Sequence, residues 1–262
     1  MSNLYEQDNY IIDSRYVSGR IIEYDIKSAN INVLYKAGAI DSECYDHLNR
    51  LPKHNREVAI GKMMVKDPNL HNILIDRLRY YRGLLFESNS IKDDEVVRIA
   101  KDAVFIRRLY DLKCTEFDGI IFRPKLVAQS MIKLGSILVF SSYNTMDQIN
   151  IEVRGLGKHV DLHQNGLLVV IANVMYLIDK VSIKDAIRYL QEEYMRYVSY
   201  QSPIEYYREF NAFSSYRIAY GNYTTLFIEE KDKMVLDISY NINILREIYS
   251  ILLELYTKHV RI

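Results

Sequence analysis

The chain has no tryptophan and only two cysteines, Cys44 and Cys114, which stand far apart and fit neither a zinc nor a CxxC spacing. A cysteine-held metal is therefore not expected, and a reducing, intracellular setting is. Neither sign of charge is in excess, because Lys+Arg and Asp+Glu number 34 each. With no net field, high-affinity nonspecific nucleic-acid binding by overall charge is disfavoured, and any such site must come from local clusters of Lys and Arg. Long hydrophobic runs are missing as well. The longest, Leu167 to Tyr176, contains an asparagine and is too short to span a bilayer, and the N-terminus has no basic start followed by an apolar stretch. A soluble protein of the cytoplasm (a host cell's, if viral) with no membrane partner is expected. Proline and glycine are few, at 4 and 10, so no Pro/Gly-rich linker, repeat or low-complexity tract divides the chain.

What is present is apolar patterning. The 262 residues are 49% hydrophobic, enough to bury one large core or two small ones. The 23 tyrosines, with many Ile, Asn and Lys, suit an AT-rich genome.

Residues 1 to 19 read as a polar, irregular lead-in to a strand at 20 to 25. Ile31, Leu34 and Tyr35 fall at helical spacing after Ser28, a candidate N-cap, and Gly38 stops that helix. Asp41 opens a second helix through Leu48, Pro52 a third to about Val65, and Asp67-Pro68 a fourth and longer one. After Asn89 the period changes to short β-type runs at 95 to 106, 117 to 122, 136 to 141 and 149 to 153. Beyond Gly157 long amphipathic helices are predicted at 160 to 178, 182 to 200 and 240 to 259, with a β-like interruption near 223 to 238. The expectation is an α+β chain: an antiparallel sheet backed by helices over 1 to 157, then a mainly helical region over 158 to 262, with a soft boundary near 157.

Two of the β-type runs carry an aspartate. Asp25 ends Arg20-Ile21-Ile22-Glu23-Tyr24, and Asp102 stands within Val96 to Ile106, which would pair with the first run as a hairpin. Two carboxylates side by side repel by roughly 4 kcal/mol at ~4 Å and an effective dielectric of about 20. A divalent cation turns that repulsion into a binding site, and two such ions can clamp both oxygens of an in-line phosphoryl displacement. Each residue also has an ordinary explanation: Asp25 as an acid at a helix N-terminus, Asp102 as part of a solvated hairpin tip. Asp118, in Phe117-Asp118-Gly119, rivals Asp102 for the second role, although Asp-Gly is also a turn signal. Lys53, beside His54 and Arg56, could steer a triphosphate or simply belong to a basic face. His159 and His163 lie four apart, but nothing near them supplies a third ligand. Tyrosines from Tyr189 to Tyr207, interleaved with Arg188, Arg196 and Arg208, could stack on bases or pack as core. Gly155-Leu156-Gly157-Lys158 lacks the spacing of a phosphate loop.

The order and spacing of these runs resemble the palm of family B DNA polymerases, including phage and plasmid versions, over about residues 15 to 158. The first catalytic motif of that family, Asp, two residues, then Ser-Leu-Tyr-Pro-Ser-Ile, aligns with Asp25 to Val33 and keeps Asp25 and Ser28. The sugar-guarding tyrosine is replaced by Asn30. The fingers-helix motif aligns with Lys53 to Gly61 and keeps those two residues. The third motif, Tyr-Gly-Asp-Thr-Asp-Ser-Val-Phe-Val, aligns without gaps on Arg98 to Ile106, with Asp102 at its second aspartate and Ala100 at its first. Arg123, Lys125 and Arg154 stand where the family contacts the primer-template backbone.

The resemblance implies metal-dependent nucleotidyl transfer to a nucleic-acid 3′ end. In that reading Asp25 and Asp102 hold Mg2+ or Mn2+, Ser28, Ala29, Asn30 and Lys53 receive a nucleoside triphosphate, and Arg123, Lys125 and Arg154 grip a primer-template or single strand. It also implies a thumb-like role for residues 158 to 262. With only a short stretch before Asp25, no proofreading exonuclease domain is expected. The short interval between the first two motifs leaves almost no fingers, which a protein partner could supply. The alternative is a catalytically inactive palm that serves as a nucleic-acid-binding or structural accessory in phage replication or transcription, and a third is an unrelated α+β protein.

Overall fold

The computed structural model describes residues 3–155, 162–203, 206–209, 227–229, 235–237 and 239–260. Its strands are hydrogen-bonded in the order β1 (Asn9–Ile11), β3 (Val96–Ala100), β4 (Ala103–Arg107), β2 (Tyr16–Ile26), β6 (Ile120–Leu134), β7 (Ile137–Tyr143) and β8 (Ile149–Arg154), with β5 (Glu116–Phe117) on β6. This is an α+β fold built on an antiparallel sheet. The chain forms two compact units, residues 1–13 with 19–128 and residues 14–18 with 129–262. The boundary expected near residue 157 falls outside the described residues.

In the first unit, α1 (Ala29–Lys36), α2 (Ser42–Arg50), α3 (Lys53–Lys66) and α4 (Pro68–Ser88) cover one face of the strands. Strand alternation selects that face: Ile22, Tyr24 and Ile26 of β2 join Val104 and Ile106 of β4 in a core completed by Leu34, Leu78 and Leu85. Each such side chain, buried, contributes about 1.5–3 kcal/mol. The helix starts obey local chemistry. Asp41 accepts from the Cys44 amide at 2.8 Å, and Asp67 from the Asn69 amide at 3.0 Å with Pro68 next in line. Ser28 is different. It adopts the left-handed region (φ 50°) and makes no side-chain cap, while the Asn32 side chain donates to the Lys27 carbonyl at 2.7 Å.

Two further details depart from the sequence pattern. The lead-in forms a 3-10 turn at Leu4–Glu6 and the strand β1, and β2 begins at Tyr16 rather than near residue 20. The backbone of β1 is paired with β3, a partner almost ninety residues away, so no local pattern announces it. The run 95 to 106 is two strands, because Lys101 turns left-handed (φ 53°) and reverses the chain.

In the second unit, α5 (Leu162–Lys180), α6 (Ile183–Val198) and α7 (Ser239–Val260) pack on the end of β6 and on β7. Ile132, Val139, Val174, Leu190, Ile248 and Leu252 form its core. Ser182 caps α6 by accepting from the Asp185 amide at 3.1 Å. A small antiparallel sheet runs in the order β10 (Phe227–Glu229), β11 (Val235–Asp237) and β9 (Arg208–Glu209).

Candidate active site

Because Ile22, Tyr24 and Ile26 turn to the helix-covered core, Glu23 and Asp25 share the opposite face of β2. Lys125 of β6 reaches this face. Its Nζ stands 2.8 Å from Asp25 Oδ2 and 3.8 Å from Oε1 of Glu23, a residue only 3% exposed.

Register then decides where Asp102 goes. Asp25 pairs with Ala103, and Ala100 pairs with Ala103 in the neighbouring ladder, so Lys101 and Asp102 form the two-residue turn between β3 and β4. The Ile26 amide donates to the Asp102 carbonyl at 3.3 Å, which seats the turn at the end of β2. Burial, and next the charge of Asp25, push the Asp102 carboxyl up to about 6, and its carboxyl group is hydrogen-bonded to Asp25. A backbone hydrogen bond and Lys125 only partly offset this. Three acidic side chains and one ammonium group thus meet at one spot.

Among the described residues no group of three or more His, Cys, Asp or Glu is arranged to hold a metal. Two aspartates nonetheless suit magnesium, which commonly binds one or two carboxylates and completes its shell with water and substrate phosphates. The hard oxygen donors and the proton-raising crowding at Asp102 fit that ion, and Lys125 supplies the countercharge to Asp25 here.

A family model described as the Bacteriophage PBS1 gene 130 protein matches residues 1–254. The chain belongs to that family. No curated protein matches it. Among solved structures, the family B DNA polymerase from the hyperthermophilic archaeon Pyrobaculum calidifontis is similar at 11% identity and a TM-score of 0.43, over 86% of this chain. The gene 130 family chain spans 42% of that polymerase chain.

The other sequence-selected residues of this gene 130 family protein are distributed as follows. Asp118 is exposed in the β5–β6 turn, where φ values of 51° for Asp118 and 79° for Gly119 suit a tight hairpin, so Asp102 and not Asp118 stands beside Asp25. Ser28, buried Ala29 and Asn30 lead into α1, and the Asn30 amide is engaged by Glu57 of α3. Lys53 is exposed at the start of α3. Arg123 is exposed and, two residues before Lys125, shares its face of β6 by alternation. Arg154, on β8 in the second unit, pairs with Glu152 at 2.5 Å. His159 lies outside the described residues, as does the His163 side chain. Tyr197 and Tyr207 are stacked in the second core with centroids 4.6 Å apart, which makes them packing residues.

Sequence reasoning passed over Glu23, although a carboxylate between Ile22 and Tyr24 in an alternating strand, two residues before Asp25, signals a shared face. It also passed over a polar knot in the second unit. There the Asp179 carboxylate accepts from Ser130 Oγ at 2.8 Å, Ser141 Oγ at 3.1 Å, the Tyr143 hydroxyl at 2.8 Å and the Tyr16 hydroxyl. Burial, and then Asp179, hold both phenols well above the ordinary tyrosine range.

Proposed function

We propose that this gene 130 family protein is a palm-like nucleotidyltransferase that acts on a nucleic-acid 3′ end. The observation that carries the reading is the meeting of the Asp25 and Asp102 carboxyl groups at the junction of β2 with the β3–β4 turn. These two residues would hold Mg2+ or Mn2+, and the bound metal would supply charge stabilisation to a transferring phosphoryl group. Asp102 would bind the ion as a carboxylate, the form favoured above about pH 6, and the ion would offset the repulsion between the two aspartates. Lys125, half-exposed, stands beside Asp25, where its ammonium would add positive charge near a bound phosphate. Lys53 offers an exposed ammonium to the triphosphate tail, and the backbone around Ser28, Ala29 and Asn30 offers amide donors at the start of α1.

The test is primer extension by the purified full chain with Mg2+ or Mn2+, a primed template and nucleoside triphosphates. Extension that is abolished in Asp25→Asn and in Asp102→Asn is the expected result, since loss of a ligand removes several kcal/mol of transition-state stabilisation.

One observation favours a second reading. Lys125 already gives Asp25 a cationic partner at 2.8 Å, which is how a palm retained for its shape would balance its charges without metal. Under that reading the chain is a nucleic-acid-binding or structural accessory. Calorimetry that finds neither metal nor nucleotide binding, on folded protein, selects it.

A further inference from the structure

We infer that Arg82 is the positioning residue of the two-aspartate site, fixing the turn that carries Asp102 through the carbonyl of Lys101; the inference rests on the metal-binding reading of that site. Arg82 lies on α4 with its side chain fully buried. Burying a guanidinium is costly, and an apolar side chain of similar volume is often as stable or more so. Its hydrogen bonds point to what the charge is kept for. Nε donates to the Tyr5 carbonyl at 2.8 Å, Nη2 to Asp8 Oδ1 at 3.2 Å, and Nη1 to the carbonyl of Lys101. Lys101 is the left-handed residue of the turn, a conformation that costs a non-glycine residue about 1–2 kcal/mol.

The other side of Lys101 is held too. Its amide donates to the Asp8 carbonyl at 2.8 Å, and the Asp8 carboxylate is gripped by Arg79 at 2.6 Å as well as by Arg82. Asp8, Arg79 and Arg82 thus clamp the peptide groups on both sides of Lys101, one residue before Asp102. Their hydrogen bonds go to backbone groups and to one another, although the charge of Arg82 also acts on Asp102. The three act chiefly through the backbone of Lys101, as outer partners of a metal ligand do, and removing such partners typically weakens metal binding by roughly 10- to 100-fold.

The experiment titrates the full chain with Mn2+ and follows the free ion by electron paramagnetic resonance. Arg82→Lys keeps the charge but not the three-way fork, and should weaken Mn2+ by roughly tenfold or more. Leu78→Ala, a buried position on the same helix, lowers stability without touching the turn and should leave the affinity unchanged. Wild-type affinity in folded Arg82→Lys, or an equal loss in Leu78→Ala, overturns the inference. If Arg82→Lys does not fold, Asp8→Asn loosens the same clamp from its other end, and unchanged Mn2+ affinity there overturns it equally. Binding that is lost in Asp25→Asn and kept in Arg82→Lys refutes the role of Arg82 alone, whereas a wild-type chain that binds no Mn2+ removes the metal reading and this inference together.

Discussion

Asp102 is an acid placed where burial and a second acid both oppose its ionisation, and this has a sign that can be measured. Its folded value of about 6 lies above its ordinary 3.8, so the folded chain holds a proton across that window that the unfolded chain releases. Its contribution is therefore neutral below pH ~4 and becomes a penalty that builds as pH rises to and through about 6. Asp102→Asn should accordingly raise the melting temperature at pH 7.5 by several degrees and change it little at pH 4. Thermal melts of both proteins at the two pH values decide the matter, and an equal difference at both would show that Asp102 is not strained by its charge. The same substitution is expected to abolish primer extension. A residue that costs stability and is needed for activity is the usual mark of a site shaped for chemistry rather than for folding.

At the scale of single elements, packing overrides propensity most clearly in α5. Gly166 lies inside that helix, where alanine is normally favoured by about 1 kcal/mol. A Cβ there would run into the ring of Tyr206, so Gly166→Ala should instead destabilise the chain by about 1–3 kcal/mol in urea unfolding. A stabilised Gly166→Ala protein would mean that Tyr206 moves aside freely. The helices were the most legible part of the sequence, because apolar spacing and caps such as Asp41, Asp67 and Ser182 are local signals. β1 was illegible because its stability comes from β3, not from its own three residues. Ser28 does stand at the N-cap position of α1, but its left-handed backbone, which leaves no trace in side-chain type, comes without a side-chain cap bond. At the candidate site, the alternation around Asp25 and the position of Asp102 were legible, as was the presence of a lysine at 125. That Lys125 would turn to Asp25 was not, since the pairing of β2 with β6 is set across a hundred residues. Arg82 was equally hidden: within an amphipathic helix an arginine looks like surface, and only its partners, two carbonyls and the Asp8 carboxylate, explain its burial.

For the whole molecule, zero net charge means that any grip on a nucleic-acid backbone is local, and the salt dependence of binding reads how many cations take part. Arg123→Ala should make the slope of log affinity against log salt shallower by about 0.9 on duplex DNA. Arg154→Ala should change it less, because Glu152 already compensates that charge. Fluorescence anisotropy across a salt series tests both, and an unchanged slope for Arg123→Ala removes that residue from the contact line.

The division of the chain into units has a different kind of consequence. Residues 14–18 belong to the second unit but are flanked on both sides by residues of the first, and the chain returns to the second unit only within β6. The polypeptide therefore crosses between the units three times. No single break in the gene separates them: a fragment ending at 128 carries five residues whose neighbours are missing, and a fragment beginning at 129 lacks those five. Tyr16, one of them, is a hydroxyl donor to Asp179, so the loss would open the polar knot as well as the strand. Recombination that shuffles whole domains between phage genes would have to move this chain as one piece, and substitutions in either unit are inherited together with the other.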